Sequence, residues 1–249
     1  MLGDPSRPSG RILADADGVP LARFVEDSVE GRPVARLFER SVSVERARAA
    51  VLRELRGWRV AADPALGLEL VLAGGRHVRH LHVLSRDLVA SPAFEMGAAP
   101  PGLELRPLDR PAADLVAAFC SAFAAGHVDG RRESPLRELE GVLSGESIGP
   151  VLTCSGVAVD VNAHVCAAVI INDSPLAPPL RGPWIAECFR DRSPRYAGAG
   201  RALLERALVL ATSAGLETMG LTVTHGNRAR ELYEALGFRE VRAIYSVDL

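Results

Sequence analysis

The sequence predicts a mixed α/β fold divided between two domains. A chain of 249 residues is long enough for one large or two modest domains. Hydrophobic residues make up 48% and charged residues 24%, which is typical of a packed globular protein. Small residues, Pro and Gly dominate residues 91–101, and such a stretch favours a linker because prolines cannot donate the bonds of a helix or strand. We therefore predict domains at 1–90 and 102–249.

The first half of the second predicted domain reads as strand, helix, helix, strand, strand. Residues 103–108 alternate, and residues 112–124 have the helical spacing of Leu115, Phe119 and Phe123. Ser134 and Pro135 favour a helix start, so a helix is predicted over 135–143. Apolar runs at 151–159 and 164–171, separated by a short polar turn, predict two strands.

In the second half of that domain, the sequence predicts a βαβ unit followed by one more helix and one more strand. A strand at 184–190 is followed by a helix at 200–213 that Gly215 closes, and by a strand at 219–224. A helix at 228–236 between Asn227 and Gly237 and a strand at 241–247 complete the order. The whole domain therefore predicts a mixed sheet with antiparallel strands first and a parallel pair later.

The first ninety residues end in the same succession of elements. Helices at 43–56 and 64–73 alternate with strands at 58–61 and 77–84, and residues 21–25 and 34–38 are further short apolar segments. The string from Glu69-Leu70 to Gly75 parallels the string from Glu231-Leu232 to Gly237. Two interpretations stay open, a degenerate internal repeat and an unrelated α/β accessory domain.

Composition excludes several classes of function. The net charge of -2 gives no global attraction to nucleic acid or to an anionic membrane. Arg supplies all 29 basic side chains, so lysine Schiff-base chemistry is excluded. We expect no membrane span, because no apolar run approaches the ~20 residues required, and no secretory signal. The four cysteines are not spaced as metal ligands, so we expect free thiols in a reducing, cytoplasmic location. His77, His80 and His82 have no acidic or Cys companion, so we expect no metal site.

The most informative segment joins the strand at 184–190 to the following helix. Gly198 and Gly200 leave backbone N–H groups bare at the positive end of that helix, which favours a phosphate or pyrophosphate. Arg195 and Arg201 add positive charge. The plainer interpretation is a tight turn. A dinucleotide fold is disfavoured, because Leu203 stands where a third Gly is needed.

Two blocks together resemble the GNAT N-acetyltransferase superfamily. The first runs Arg195-Tyr-Ala-Gly198-Ala-Gly200, like the family's pyrophosphate loop. The second runs from Asn227 through Leu232-Tyr233 to Gly237-Phe238, like the family's last helix. The resemblance covers about residues 102–249 and implies an acyl-CoA N-acyltransferase fold, with the first ninety residues as a truncated tandem copy under the repeat interpretation.

The resemblance implies acetyl-CoA as co-substrate and assigns residues to it. Backbone groups of Cys188, Phe189 and Arg190 would accompany the pantetheine arm as an added strand. Asn227 would lie near the same arm. The pyrophosphate would bind the segment that comprises Arg195, Tyr196, Ala197, Gly198, Ala199, Gly200 and Arg201.

The resemblance also implies acid and base roles for an amine acceptor. Tyr233 would protonate the leaving thiolate, although its spacing also fits simple core packing. Glu187 would take the amine proton, with pairing to an Arg as its alternative. His127, Asp129, His225 and a relay through water are further candidates for the base. The acceptor would be a small molecule or peptide, and the loop sequences do not identify it. An alternative function is a non-catalytic acyl-CoA-binding module. The first domain could also form a homodimer contact.

Overall fold

The computed structural model describes residues 10–29, 31–90, 98–123, 127–130, 133–175 and 181–249. The described residues form eleven strands and six helices in mixed order. The strands are β1 Arg11–Ala14, β2 Pro20–Val29, β3 Arg32–Arg40, β4 Arg59–Ala62, β5 Arg76–Asp87, β6 Leu103–Pro107, β7 Gly156–Asp160, β8 Val165–Ser174, β9 Gly182–Arg190, β10 Thr218–Thr224 and β11 Arg239–Asp248. The helices are α1 Val44–Glu54, α2 Pro64–Leu72, α3 Ala112–Ala122, α4 Pro135–Leu143, α5 Ala199–Ser213 and α6 Ala229–Ala235.

The chain divides into two compact units. The first unit comprises the described residues up to Val83 together with Glu240–Leu249, and the second comprises Leu84–Arg239. The last ten residues belong to the first unit because β11 pairs antiparallel with β4, from Tyr245 opposite Ala62 to Asp248 opposite Arg59. This division differs from the predicted domains at 1–90 and 102–249. Most of the predicted linker, residues 91–97, lies outside the described residues.

The second unit has the predicted antiparallel strands and βαβ unit. Strands β6, β7, β8 and β9 pair antiparallel in sequence order. Strand β10 then pairs parallel with β9, and α5 is the crossover between them. One boundary differs, because β7 begins at Gly156 rather than at residue 151. Residues before it form a turn closed by the Ser155 amide on the Leu152 carbonyl, and Val151 makes only an isolated bridge to Asn172.

Two hydrophobic clusters cover the two faces of the second unit's sheet. Strand β8 contributes Val169 and Ile171 to one cluster and Ala168 and Ile170 to the other. This strict alternation is the period of a β-strand buried on both faces. The first cluster includes Leu203 and Leu204 of α5, Tyr233 of α6 and Phe238 just after α6. The second cluster includes Leu115, Phe119 and Leu139 from α3 and α4.

The first unit repeats part of this succession around its own core. Strands β1, β2 and β3 pair antiparallel, and β4 pairs parallel with β3 through the crossover α1. The core includes Phe24, Val51, Leu66, Leu70 and Val247. The helix–strand–helix–strand order predicted from the sequence is therefore present. None of the helices in the described residues combines the length and hydrophobicity needed to cross a bilayer.

Candidate functional site

A β-bulge interrupts the pairing of β9 with β8 at Ala186. Ile170 lies opposite Glu187, whereas the next residue, Ile171, lies opposite Ile185, so Ala186 is the extra residue. A regular strand would send Ile185 and Cys188 to opposite faces. Because of the bulge, both side chains contact the same cluster, beside α5 and α6.

The parallel pairing of β9 with β10 ends just before this bulge. Its last partners are Ile185 and Leu221, although β9 continues to Arg190 and β10 to Thr224. Within these two described strands, no later residues pair with each other. The edge of β9 from Ala186 onward is therefore open toward β10, and its backbone groups are suited to an added extended segment.

The helix α5 begins beside the end of this open edge with an uncapped N-terminus. Gly198 adopts a left-handed φ of 86° at the N-cap, and no side chain caps the helix. The first helical bond is from the Ala202 amide to the Gly198 carbonyl, 3.0 Å long. The amides of Ala199, Gly200 and Arg201 therefore have no partner from within the helix, as is general for a first turn. These amides form the anion-binding end that the sequence predicts.

Gly200 faces open space. A Cβ atom added at Gly200 would meet no heavy atom within 4 Å, whereas at Gly198 it would approach Pro100 Cγ at 3.5 Å. Internal packing therefore gives no reason for a glycine at position 200. An elongated ligand that approaches the backbone closely does supply such a reason.

Other predicted residues hold the loop through their side chains. Arg190 donates to the carbonyls of Asp191 and Ser193 at 2.5 and 2.9 Å. Tyr196 is buried, and its hydroxyl donates to Asp160 at 3.0 Å. Burial and the Asp160 carboxylate both raise the pKa of Tyr196. Phe189 is buried against α3 and α4. These side chains thus fix the backbone of the site, and only their main-chain groups are available to a ligand.

The two arginines of the loop differ in their surroundings. The Arg195 guanidinium stacks on the ring of Tyr196, 4.4 Å from its centroid, and is exposed. Arg201 is exposed and pairs with Glu205 one turn along α5 at 2.8 Å. Arg195 is therefore the better placed of the two to meet an anion at the helix N-terminus.

Tyr233 on α6 reaches the bulged region of β9. Its side chain is buried, packs edge-on against Phe238 and lies close enough to Cys188 for the two groups to influence each other's pKa. Burial, with smaller contributions from Cys188 and from the negative charges of Glu187 and Asp129, raises the pKa of Tyr233 well above its usual value. Burial likewise raises the pKa of the Cys188 thiol to about 12. The phenol is therefore kept protonated at the open edge.

Glu187 lies in the same group of side chains. It follows the bulge residue on β9, is partly buried, and its charge acts on both Tyr233 and Cys188. The two residues predicted as acid and base are 46 positions apart in the chain, and the Glu187 charge contributes to the raised pKa of Tyr233.

The structure adds Asp129 to this corner. Its carboxylate accepts hydrogen bonds from the Thr224 hydroxyl and, at 3.1 Å, from the Asn227 amide. Asn227 also accepts the Ala229 amide at 2.9 Å, so both ends of its side chain are engaged within the protein. His127 lies 3.5 Å from the Asp129 carboxylate, and His225 is exposed after β10. Sequence alone offered Asp129 only as one base candidate, because nothing local signals which strand its loop contacts.

The first unit contains a second bulge of the same kind. Arg23 lies opposite Glu39 and Phe24 opposite Leu37, so Phe38 is the extra residue on β3, and the parallel pairing with β4 again stops earlier, at Arg36. The following helix differs. Ser43 caps α1 through the Arg46 amide, and Glu45 adds negative charge to its first turn.

Comparison with known proteins gives the family of part of the chain. Residues 153–238 match the family model described as "Acetyltransferase (GNAT) family". A search of curated proteins found no match. Among solved structures, a GCN5-related N-acetyltransferase from Sphaerobacter thermophilus is similar, with a TM-score of 0.63 at 16% identity over 95% of this chain and 78% of that chain.

Two further solved structures have the same fold. A GCN5-related N-acetyltransferase from Kribbella flavida gives a TM-score of 0.55 at 16% identity, over 91% of this chain and 86% of that chain. A tandem GNAT protein from the clavulanic acid biosynthesis pathway gives 0.57 at 12% identity, over 94% of this chain and 80% of that chain. At such identities the similarity establishes the fold.

Fold and family match together define an acyltransferase with the acyl-CoA N-acyltransferase fold. Residues 153–238, in the second unit, match the GNAT family model, and the first unit repeats part of the strand and helix succession of the second.

Proposed function

We propose that this protein transfers an acetyl group from acetyl-CoA to an amine of a small-molecule or peptide acceptor, by direct attack in a ternary complex. One observation carries the proposal. The open edge of β9 after Ala186 leads directly to the uncapped N-terminus of α5. An extended arm that contains amides can pair with the open edge of β9, and a pyrophosphate at the end of that arm can bind the N-terminus of α5.

The residues of the second unit fit such a ligand. The backbone of Cys188, Phe189 and Arg190 would bond the pantetheine arm, and the amides from Tyr196 to Arg201 would surround the pyrophosphate with Arg195 beside it. The empty space beside Gly200 supports this assignment, because a side chain there would fill the volume that a phosphate needs. Asn227 has no direct role in this proposal, since its amide already bonds Asp129 and Ala229.

Tyr233 is the proposed general acid. Bound acetyl-CoA supplies a thioester that an uncharged amine attacks, and the C–S bond breaks as the C–N bond forms. The departing sulfur takes its proton from the Tyr233 hydroxyl and leaves as the free thiol, and the phenolate regains a proton from solvent, which receives the proton that the amine loses. The raised pKa of Tyr233 keeps the phenol protonated, so a proton is present for the departing sulfur.

Glu187 is the proposed proton acceptor for the amine. It lies on β9 directly after the bulge residue, and its charge contributes to the raised pKa of Tyr233. The proton would pass from the amine to the carboxylate directly or through water. The alternatives at the same corner are Asp129 and His127.

The first unit is proposed not to bind acetyl-CoA. In place of a glycine loop, Ser43 caps α1 and Glu45 repels an anion. The end of β3 is tied to the start of α2 by an ion pair from Arg40 to Asp63 at 3.1 Å. The sequence parallel with α6 puts Val71 where the second unit has Tyr233. Each of these features removes one part of the site, so we expect one molecule of CoA per chain.

The test combines binding with turnover. Calorimetry with CoA should give one site per chain, and a panel of aminoglycosides, polyamines, amino acids and peptides with acetyl-CoA should identify an acceptor by release of free thiol. Tyr233→Phe should bind CoA normally and lose most turnover. Tyr245→Phe, which changes a tyrosine of the first unit, is the matched control.

Three results would contradict parts of the proposal. Absence of CoA binding would remove the assignment of the open edge. Binding without turnover on any amine would favour a non-catalytic acyl-CoA-binding module. Full turnover by Tyr233→Phe would leave the transfer reaction in place and remove Tyr233 from it.

A further inference from the structure

The helix that carries Tyr233 is too short to hold its own position. Helix α6 has seven residues, Ala229–Ala235, and a helix of that length has little intrinsic stability in water. Its orientation must therefore come from contacts with the rest of the second unit. Two charged side chains from distant parts of the chain supply such contacts, one at each end of the helix.

The N-terminal end of α6 is attached to Asp129. Asn227 accepts the Ala229 amide at 2.9 Å and donates to the Asp129 carboxylate at 3.1 Å. The same carboxylate accepts a hydrogen bond from Thr224, the last residue of β10. Asp129 thus joins the end of β10, the turn after it and the first turn of α6 in one network. Its side chain is 11% exposed, so water competes weakly for these bonds.

The C-terminal end of α6 is attached to Arg86. This residue lies near the end of β5, is 5% exposed, and its guanidinium donates to the Leu236 carbonyl. Gly237 follows with a left-handed φ of 85°, and a Cβ added there would collide with the guanidinium. The glycine is therefore required both by its backbone angle and by the closeness of Arg86.

We propose that Asp129 and Arg86 are positioning residues that fix the two ends of α6 and thereby set the Tyr233 hydroxyl against Cys188 on β9. The inference rests on the proposed role of Tyr233 in proton transfer. Neither residue needs to contact substrate. A carboxylate at the start and a guanidinium at the end of a helix also complement the helix dipole, so each charge has the favourable sign for its end.

The Asp129 attachment can be tested by exchanging the two partners. Asn227→Asp sets two carboxylates face to face and should lower kcat about 10- to 100-fold. Asp129→Asn should lower kcat less, because its amide oxygen can still accept from Asn227 while its NH2 group donates to the Thr224 hydroxyl. The double variant, which combines the two substitutions, reverses the polarity of the pair, because the amide at position 129 then donates to the carboxylate at position 227. The new carboxylate still accepts the Ala229 amide, so the double variant should recover most of kcat.

The Arg86 attachment is tested with two substitutions of similar length. Arg86→Met removes the donor and the charge, whereas Arg86→Lys keeps both in a smaller group. We expect Arg86→Met to lower kcat about tenfold or more and Arg86→Lys to retain part of it. Arg106→Met, at an exposed arginine paired with Glu104, is the control and should leave kcat unchanged.

Two measurements separate positioning from a general loss of folding. Calorimetry should give the same CoA affinity for Asp129→Asn, its double variant and wild type, because β9 and α5 are unchanged. Hydrogen exchange should become faster in peptides covering residues 228–239 of Asn227→Asp and return to the wild-type rate in the double variant. This readout does not depend on turnover, so it remains decisive even if Tyr233→Phe proves fully active and the proposed role of Tyr233 fails.

The inference is overturned by either of two results. Wild-type kcat and wild-type exchange in Asn227→Asp would show that this attachment does not position α6. Restored exchange with kcat still low in the double variant would show that the carboxylate at 129 acts in proton transfer itself rather than through the helix.

Discussion

Tyr233 on α6 and Cys188 on β9 pack in the same hydrophobic cluster, and each influences the pKa of the other, just beyond the point where β9 leaves its parallel neighbour. Cys188 faces α6 only because Ala186 is an extra residue in the strand. The bulge therefore does two things at once. It opens the edge of β9 toward a ligand and turns a thiol side chain toward the buried phenol.

Tyr233 should stay protonated far into the alkaline range. Because burial and nearby negative charge raise its pKa above the ordinary value of about 10, loss of the proton requires a higher pH than in a free tyrosine. We expect no fall in kcat from this group below about pH 10. Ultraviolet titration of wild type and of Tyr233→Phe measures the phenolate absorbance, and the difference between the two curves reports Tyr233 alone. A phenolate signal in that difference below pH 10 would contradict the expectation.

Gly200→Ala should separate binding from stability. The added methyl group meets nothing in the protein, so thermal unfolding should be unchanged or stabilised by about 0.5 kcal/mol. The same methyl group occupies the space assigned to a phosphate, so CoA affinity should fall about tenfold, equivalent to about 1.4 kcal/mol. Ser213→Ala at the other end of α5 is the control. Unchanged affinity in Gly200→Ala would contradict the placement of the pyrophosphate.

The four thiols should differ sharply in reactivity. Burial raises the pKa of Cys154 and Cys166 to about 11 and that of Cys188 to about 12, whereas Cys120 is exposed. At pH 8 the buried thiols are almost entirely protonated, and the thiolate is the reactive form. Iodoacetamide followed by peptide mass spectrometry should label Cys120 first. Early labelling of Cys188 in the folded protein would show that the phenol–thiol pair is open to solvent.

Asp248 should stabilise the first unit in a pH-dependent way. Its buried carboxylate, 4% exposed, accepts hydrogen bonds from Arg59, Arg32 and Arg76, and the bond from Arg59 is the main cause of its lowered pKa. Asp248→Asn should cost roughly 2–3 kcal/mol at pH 7. Since the folded-state pKa lies below the unfolded value, this contribution is present above about pH 4 and is lost as the pH falls through the folded-state pKa.

Chemical denaturation of wild type and Asp248→Asn at pH 7 and pH 3 measures that difference. Asp27→Asn is the matched control, because Asp27 pairs with Arg36 in an exposed ion pair and should cost less than about 1 kcal/mol. An equal effect of both substitutions at pH 7 would contradict the role given to burial of Asp248.

The helices and most strands could be predicted from the chain because their signals are local. Ser134 and Pro135 favoured the start of α4, and the helix runs over the predicted residues 135–143. The strand predicted at 151–159 starts late, because residues 152–155 form a turn whose bond is not apparent in an apolar run. The bulge at Ala186 could not be predicted, since it depends on the register of β8 against β9.

By itself, the sequence determined where α5 begins, from its glycines, and where α6 lies, from its tyrosine and the glycine that follows it. It also determined the strand character of β11, from its alternation. These signals depend on residues that are close in the chain. Only the tertiary structure decided that β11 pairs with β4 of the first unit, that Glu187 and Asp129 approach Tyr233, and that Arg86 binds the end of α6. The physical reason is that packing of the whole chain selects the partners of a strand, an ion pair or a hydrogen bond when those partners are far apart in sequence. An alternating or charged segment does not by itself specify its partner.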